Sequence, residues 1–147
     1  MKVAIASDHA GFKFKTKISK WLTEEGYNVR DFGPDSEDSV DYPEFAHKVC
    51  EAILKPPRAK EQGGTERGIL ICGTGIGMSM TANRHEGIRA ALCKDGGAAE
   101  MTRKHNNANV LCIGARNTNP AILHDLLGAF FNTEFEGGRH EKRIEKI

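Results

Sequence analysis

The chain has little of what marks several protein classes. Its 21 Lys and Arg are balanced by 20 Asp and Glu, so no global field draws it toward nucleic acid or a membrane surface. No apolar run approaches the ~20 residues that a bilayer span needs. The four cysteines, Cys50, Cys72, Cys93 and Cys112, stand roughly twenty residues apart with no CxxC pair, a pattern that suits neither a zinc site nor a disulfide scaffold. There is no internal repeat and no sign of a second domain. Met1 leads straight into a strand-like segment without a basic leader, so the expected compartment is the cytoplasm.

What is present is globular. At 147 residues and 39% hydrophobic, the chain can bury a core without metal or disulfide staples. Short apolar runs alternate with segments of helical period. Val3–Ser7, Tyr27–Phe32, Gly68–Cys72, Ile88–Cys93 and Asn109–Ile113 read as strands. Gly11–Glu25, Pro43–Leu54, Met78–Arg84, Gly97–Lys104 and Pro120–Phe131 read as helices, and Lys55–Arg67 as a solvated loop. Alternation of this kind predicts the α/β class: a single 1–147 domain, built as a three-layer α/β/α sandwich on a five-stranded, parallel, Rossmann-like sheet. The exception to the charge balance is the last nine residues of the C-terminal tail 132–147, where Arg139, His140, Lys142, Arg143 and Lys146 face only Glu141 and Glu145.

Ligands of open α/β sheets bind beyond the carboxyl ends of the strands, and chemistry-bearing residues fall near those predicted ends. The first strand runs into Asp8 and His9, which could hold a hydroxyl and a phosphate or merely cap the next helix. The third runs into Cys72-Gly73-Thr74-Gly75-Ile76-Gly77, whose glycines allow a tight turn that aims amides at one anion. Cys72 beside those amides is favoured as a thiolate, although a lone strand-end cysteine is commonly just a small hydrophobe. A dinucleotide loop with Asp95 as the ribose acid is the competing reading, weakened by the missing GxGxxG spacing. His105-Asn106-Asn107 could act on a ligand or stop a helix, and Arg116 follows the fifth strand. Arg139 and Arg143, four apart, would share a face of a helical tail and suit phosphate.

Ser7-Asp8-His9-Ala10-Gly11, Asp41-Tyr42-Pro43, Ile71 to Gly77, Thr81-Ala82-Asn83-Arg84, Gly87-Ile88-Arg89-Ala90, His105 to Leu111 and Glu136-Gly137-Gly138-Arg139-His140 together resemble the B-type ribose-5-phosphate isomerases. That family also holds galactose-6-phosphate and allose-6-phosphate isomerases. The resemblance runs from Lys2 to Ile147. It implies interconversion of ribose 5-phosphate and ribulose 5-phosphate through an enediolate, with no metal or cofactor. Cys72 would be the base and His105 the ring-opening acid/base, while Thr74 and the amides of Gly73, Thr74, Gly75, Ile76 and Gly77 would hold the oxyanion. Asp8, His9, Tyr42 and Asn106 would contact substrate, and Arg116, Arg139 and Arg143 the phosphate. It further implies a homodimer, or a dimer of dimers, in which the basic tail contacts the partner subunit. Met78 stands where another branch of the family carries a glutamate base. A glycine-rich Lys94–Ala98 near the pocket mouth leaves substrate size open, so a hexose 6-phosphate isomerase remains an alternative; a non-catalytic sugar-phosphate binder is a further one, against which the intact Cys72, Thr74 and His105 speak.

Overall fold

The computed structural model describes residues 1–55 and 64–147. Five strands, β1 (Lys2–Ser7), β2 (Asn28–Asp31), β3 (Thr65–Cys72), β4 (Ala90–Leu92) and β5 (Val110–Gly114), form one sheet in the order β2-β1-β3-β5-β4. Every pairing is parallel. β1, β3 and β5 are near-continuous apolar runs because both of their faces are covered, as parallel sheets require. On one face Val3, Ile5, Ile69, Ile71, Leu111 and Ile113 pack against Ile18 and Leu22 of α1 (Phe12–Glu24), Ala99 of α4 (Gly96–Asn106) and Leu126, Leu127 and Phe130 of α5 (Leu123–Asn132). On the other, Ala4, Ala6, Leu70 and Cys112 meet Phe45, Val49 and Cys50 of α2 (Tyr42–Leu54) and Met78 and Ala82 of α3 (Ile76–Ala82). The three-layer sandwich expected from the sequence is the observed one. No helix among the described residues is long and apolar enough to cross a membrane.

The differences from expectation are local. β3 begins at Thr65 rather than Gly68, so the expected 55–67 loop is shorter at its end; residues 56–63 of that loop lie outside the described residues. Polar Thr65-Glu66-Arg67 hid this start: the pairing shifts between Lys2 and Val3, which breaks the alternation that would have betrayed it. The tail carries a four-residue helix, α6 (Glu141–Ile144), which contains Arg143 but not Arg139. The edge strand β4 is closed on its outer side by a side chain. Asn83 Nδ2 donates to the Ala90 carbonyl at 2.8 Å and Asn83 Oδ1 accepts from the Ala90 amide at 2.9 Å, occupying groups that a sixth strand would use.

Arg67 ties the sheet to α5. Its Nη1 donates to the carbonyls of Phe130 (2.5 Å) and Phe131 (3.0 Å), which lie in the last turn of α5 and lack helical partners. Hydrogen bonds from a charged donor are each worth about 1.5–3 kcal/mol. Arg67→Met keeps the apolar stem and strands both carbonyls, so it is expected to lower unfolding stability by about 2 kcal/mol. Urea denaturation followed by circular dichroism checks this; an unchanged midpoint would remove Arg67 from the account of stability.

Candidate active site

The glycine loop between β3 and α3 is shaped by its neighbours. Gly75 adopts φ +77° at the N-cap of α3, a conformation that favours glycine. The turn brings the Gly75 amide to donate to Cys72 Sγ at 3.1 Å, while Thr74 Oγ1 accepts from the Ile76 amide at 3.3 Å. A Cβ on Gly75 would lie 2.5 Å from Leu92 Cδ1 and 3.0 Å from the Gly114 nitrogen. At Gly77 a Cβ would meet the Tyr42 ring at 2.6 Å, and at Gly73 the Arg116 guanidinium at 3.1 Å. The missing side chains thus let Tyr42 and Arg116 lie directly on the loop. Beyond the ladder, the Ala115 amide donates to the Cys72 carbonyl and the Arg116 amide to the Gly73 carbonyl, both at 2.9 Å. These bonds fix Arg116 to the same turn.

The end of β1 joins this group through the Asp8 amide, which donates to the Ile71 carbonyl at 2.9 Å. Asp8 is buried, and its Oδ1 accepts from the Gly11 amide at 3.0 Å, capping the short 3₁₀ turn His9–Gly11. His9 Nδ1 accepts from the Val40 amide at 3.3 Å, which places the ring proton on Nε2. One edge of the sheet therefore carries Asp8, His9, Tyr42, Cys72 to Gly77 and Arg116.

The thiols differ in chemistry. Burial pushes those of Cys50 and Cys93 up to about 11. Burial also raises Cys112 well above the ordinary thiol range, with Cys50, Cys72 and Cys93 adding to it. These three remain protonated at neutral pH, whereas Cys72 alone accepts a loop amide on its sulfur.

His105 and Asn106 do not join them. α4 starts at the carboxyl edge, where Asp95 Oδ1 accepts from the Ala98 amide at 2.8 Å; Asp95 is thus a helix cap. The helix then returns antiparallel to the strands and stops at Asn107, whose φ is 45°, so His105 and Asn106 sit at the strands' amino ends. Val110, just beyond, pairs with Gly68, while Gly114 pairs with Cys72. Those four residues span about 13 Å of strand. The expectation that all reactive groups gather on one edge is corrected here: a crossover helix carries its last residues to the far edge.

That far edge has its own cluster. The His105 and His140 rings stack with centroids 4.2 Å apart and planes 11° from parallel. Arg139 Nε lies 3.4 Å from His140 Nε2, and Glu136 Oε2 lies 3.7 Å from it. Arg89 donates to the Asn106 and Asn107 carbonyls, and buried Arg103 to Asn107 Oδ1 and the Ala108 and Thr133 carbonyls, so the end of α4 and the start of the tail are held together. Arg143 follows in α6. Sequence reasoning left out His140 as a site residue, though it closes the Glu136–His140 segment. His105, Glu136 and His140 also bring metal-type ligand atoms within 4.8 Å of one another. Parallel stacked imidazoles direct their in-plane lone pairs side by side rather than to one point, and a guanidinium adjoins them, so the cluster is a poor metal cage.

Residues 3–147 match the family described as Ribose/Galactose Isomerase. Ribose-5-phosphate isomerase B of Escherichia coli is 39% identical over 146 residues, covering 99% of this chain and 93% of that protein. D-erythrulose-4-phosphate isomerase of Pectobacterium atrosepticum is 40% identical over 149 residues, with coverage of 100% and 93%. The crystal structure of ribose-5-phosphate isomerase B from Mycoplasma genitalium with bound ribulose-5-phosphate superposes with a TM-score of 0.88 at 40% identity, covering 99% of this chain and 92% of that one.

The thiol contrast gives a direct expectation. At neutral pH a small alkylating reagent should modify Cys72 first, and Cys50, Cys93 and Cys112 only once the protein unfolds. Mass spectrometry of peptides after limited iodoacetamide treatment checks this; labelling of Cys50 at a rate equal to that of Cys72 would contradict it.

Proposed function

The chain belongs to the ribose/galactose isomerase family, and from that premise we propose that it interconverts ribose 5-phosphate and ribulose 5-phosphate through an enediolate. The observation that carries the reading is the Cys72 sulfur under the Gly75 amide, in a loop on which Tyr42 and Arg116 both lie. In this reading the Cys72 thiolate removes the proton from C2 of the open-chain aldose and returns it to C1. The hydroxyl proton moves from O2 to O1. Negative charge that develops on oxygen is held by Thr74 and the amides of Gly73 to Gly77, preorganised donors of the oxyanion-hole kind. Asp8, Tyr42 and Asn106 hold sugar hydroxyls, and the His9 Nε2–H joins Arg116, Arg139 and Arg143 at the phosphate. His105 opens the furanose by moving a proton at the ring oxygen, work suited to an imidazole.

His105, Asn106, Arg139 and Arg143 stand at the opposite sheet edge from Cys72 in one chain, so the complete site needs a second copy. The protein in this reading is a homodimer, each of whose sites joins the loop edge of one protomer to the tail edge of the other. This gives the basic tail its purpose. One relative is named for erythrulose 4-phosphate, a shorter sugar phosphate than ribose 5-phosphate.

Loss of a proton-transfer group lowers rates by about 10²–10⁴. Cys72→Ala is expected to reduce kcat on ribose 5-phosphate by that factor while substrate still binds in calorimetry, and Cys50→Ala to leave kcat near the parent value. Normal turnover by Cys72→Ala would overturn the assignment.

A further inference from the structure

The proposed reading assigns no task to His140, although its ring is the more deeply buried of the stacked pair. His140 is 5% exposed, and its amide donates to the Gly137 carbonyl at 3.1 Å. Its own carbonyl accepts from the Arg143 and Ile144 amides, which start α6. Gly137 and Gly138, at φ +64° and +57°, make the reversal that returns the tail to α4, where the Glu136 amide donates to the Lys104 carbonyl at 3.1 Å. His140 is therefore fixed by backbone on both sides. His105 is half-buried at the helix end, with its ring laid on that of His140.

We propose that His140 is a positioning residue for His105: its ring is the platform that sets the plane in which the ring-opening imidazole works. This rests on the reading of His105 as the group that opens the sugar. Contact with Arg139 fixes the tautomer. Arg139 Nε donates toward His140 Nε2, so that nitrogen presents a lone pair and the ring proton sits on Nδ1. The groups facing His140 are Arg139, Arg143 and Glu136 from the tail and His105 from α4; Lys104, one residue before His105, is paired with Glu100. Burial, His105, Arg139 and Arg143 hold the His140 imidazole below its ordinary pKa against the opposing pull of Glu136. A neutral His140 ring gives the stacked His105 ring a flat face without adding a charge beside it. Arg139, bound to the same ring, shares the anchor, so the ring acid and one phosphate arginine are set by a single buried side chain.

Misplacing a catalytic group by an ångström can lower rates about a hundredfold. His140→Leu fills the space without a flat face, and His140→Phe restores the face without a nitrogen. Both are compared with the parent and His105→Asn, as rates on ribose 5-phosphate over a wide range of enzyme concentration. An enzyme unable to open the ring consumes only aldehyde that opens unassisted, so its flux stops rising as enzyme is added. His105→Asn is expected to reach that plateau. His140→Leu should approach it, with kcat lowered roughly ten- to a hundredfold, while His140→Phe scales with enzyme as the parent does. A merely structural loss would lower the active fraction and leave the scaling linear. Parent-like kcat and linear scaling in His140→Leu, or a plateau in His140→Phe, would overturn the positioning role. Linear, undiminished flux in His105→Asn would instead overturn the ring-opening reading on which it rests.

Discussion

A parallel sheet gives every strand one direction, and the rest of this structure depends on that constraint. Each strand-to-helix turn must fall on one edge and each helix-to-strand turn on the other. The glycine loop, Asp8-His9 and Arg116 follow strands and share the first edge. His105-Asn106 precedes a strand and lies on the second, joined by the tail. About 13 Å of strand between Val110 and Gly114, which pair with Gly68 and Cys72, separates a thiol from an imidazole that the proposed chemistry needs at one sugar. Two copies related by a two-fold axis can bring unlike edges together twice, giving two equal sites.

Within the first edge, packing decides the chemistry. Gly73, Gly75 and Gly77 leave space that Arg116, Leu92 and Tyr42 fill, so the loop is enclosed by side chains from β4, α2 and the turn after β5. The positive φ of Gly75 turns its amide onto the Cys72 sulfur. Burial raises the thiols of Cys50, Cys93 and Cys112, and in Cys50 it outweighs the sulfur's own backbone hydrogen bond. Position at the glycine turn, rather than depth alone, sets Cys72 apart from the other three cysteines.

Much of this was legible in the sequence. Unbroken apolar runs such as Ile69–Cys72 and Leu111–Ile113 marked doubly covered strands, and their alternation with helices set the layers. The glycines around Thr74 marked the turn, because few other residues allow such close approach. What stayed hidden depended on direction and distance. His105-Asn106-Asn107 reads the same at either end of a sheet; only the path of α4, capped by Asp95 and stopped by Asn107, places it on the far edge. The His105–His140 stack joins residues 35 positions apart, and nothing in their spacing foretells it. Arg67 looked like the end of a polar loop, yet it lies within β3 and holds the carbonyls of α5.

The central claim, that each site draws its base from one protomer and its ring-opening imidazole from the other, is tested by mixing two inactive variants. Cys72→Ala and His105→Asn, each almost inactive alone, are unfolded together, refolded and assayed on ribose 5-phosphate. With shared sites, half of the dimers are mixed and each mixed dimer has one intact site, so about a quarter of parental activity should return. If one chain supplies both groups, every site keeps one defect, and a mixture no more active than its parts would contradict the account.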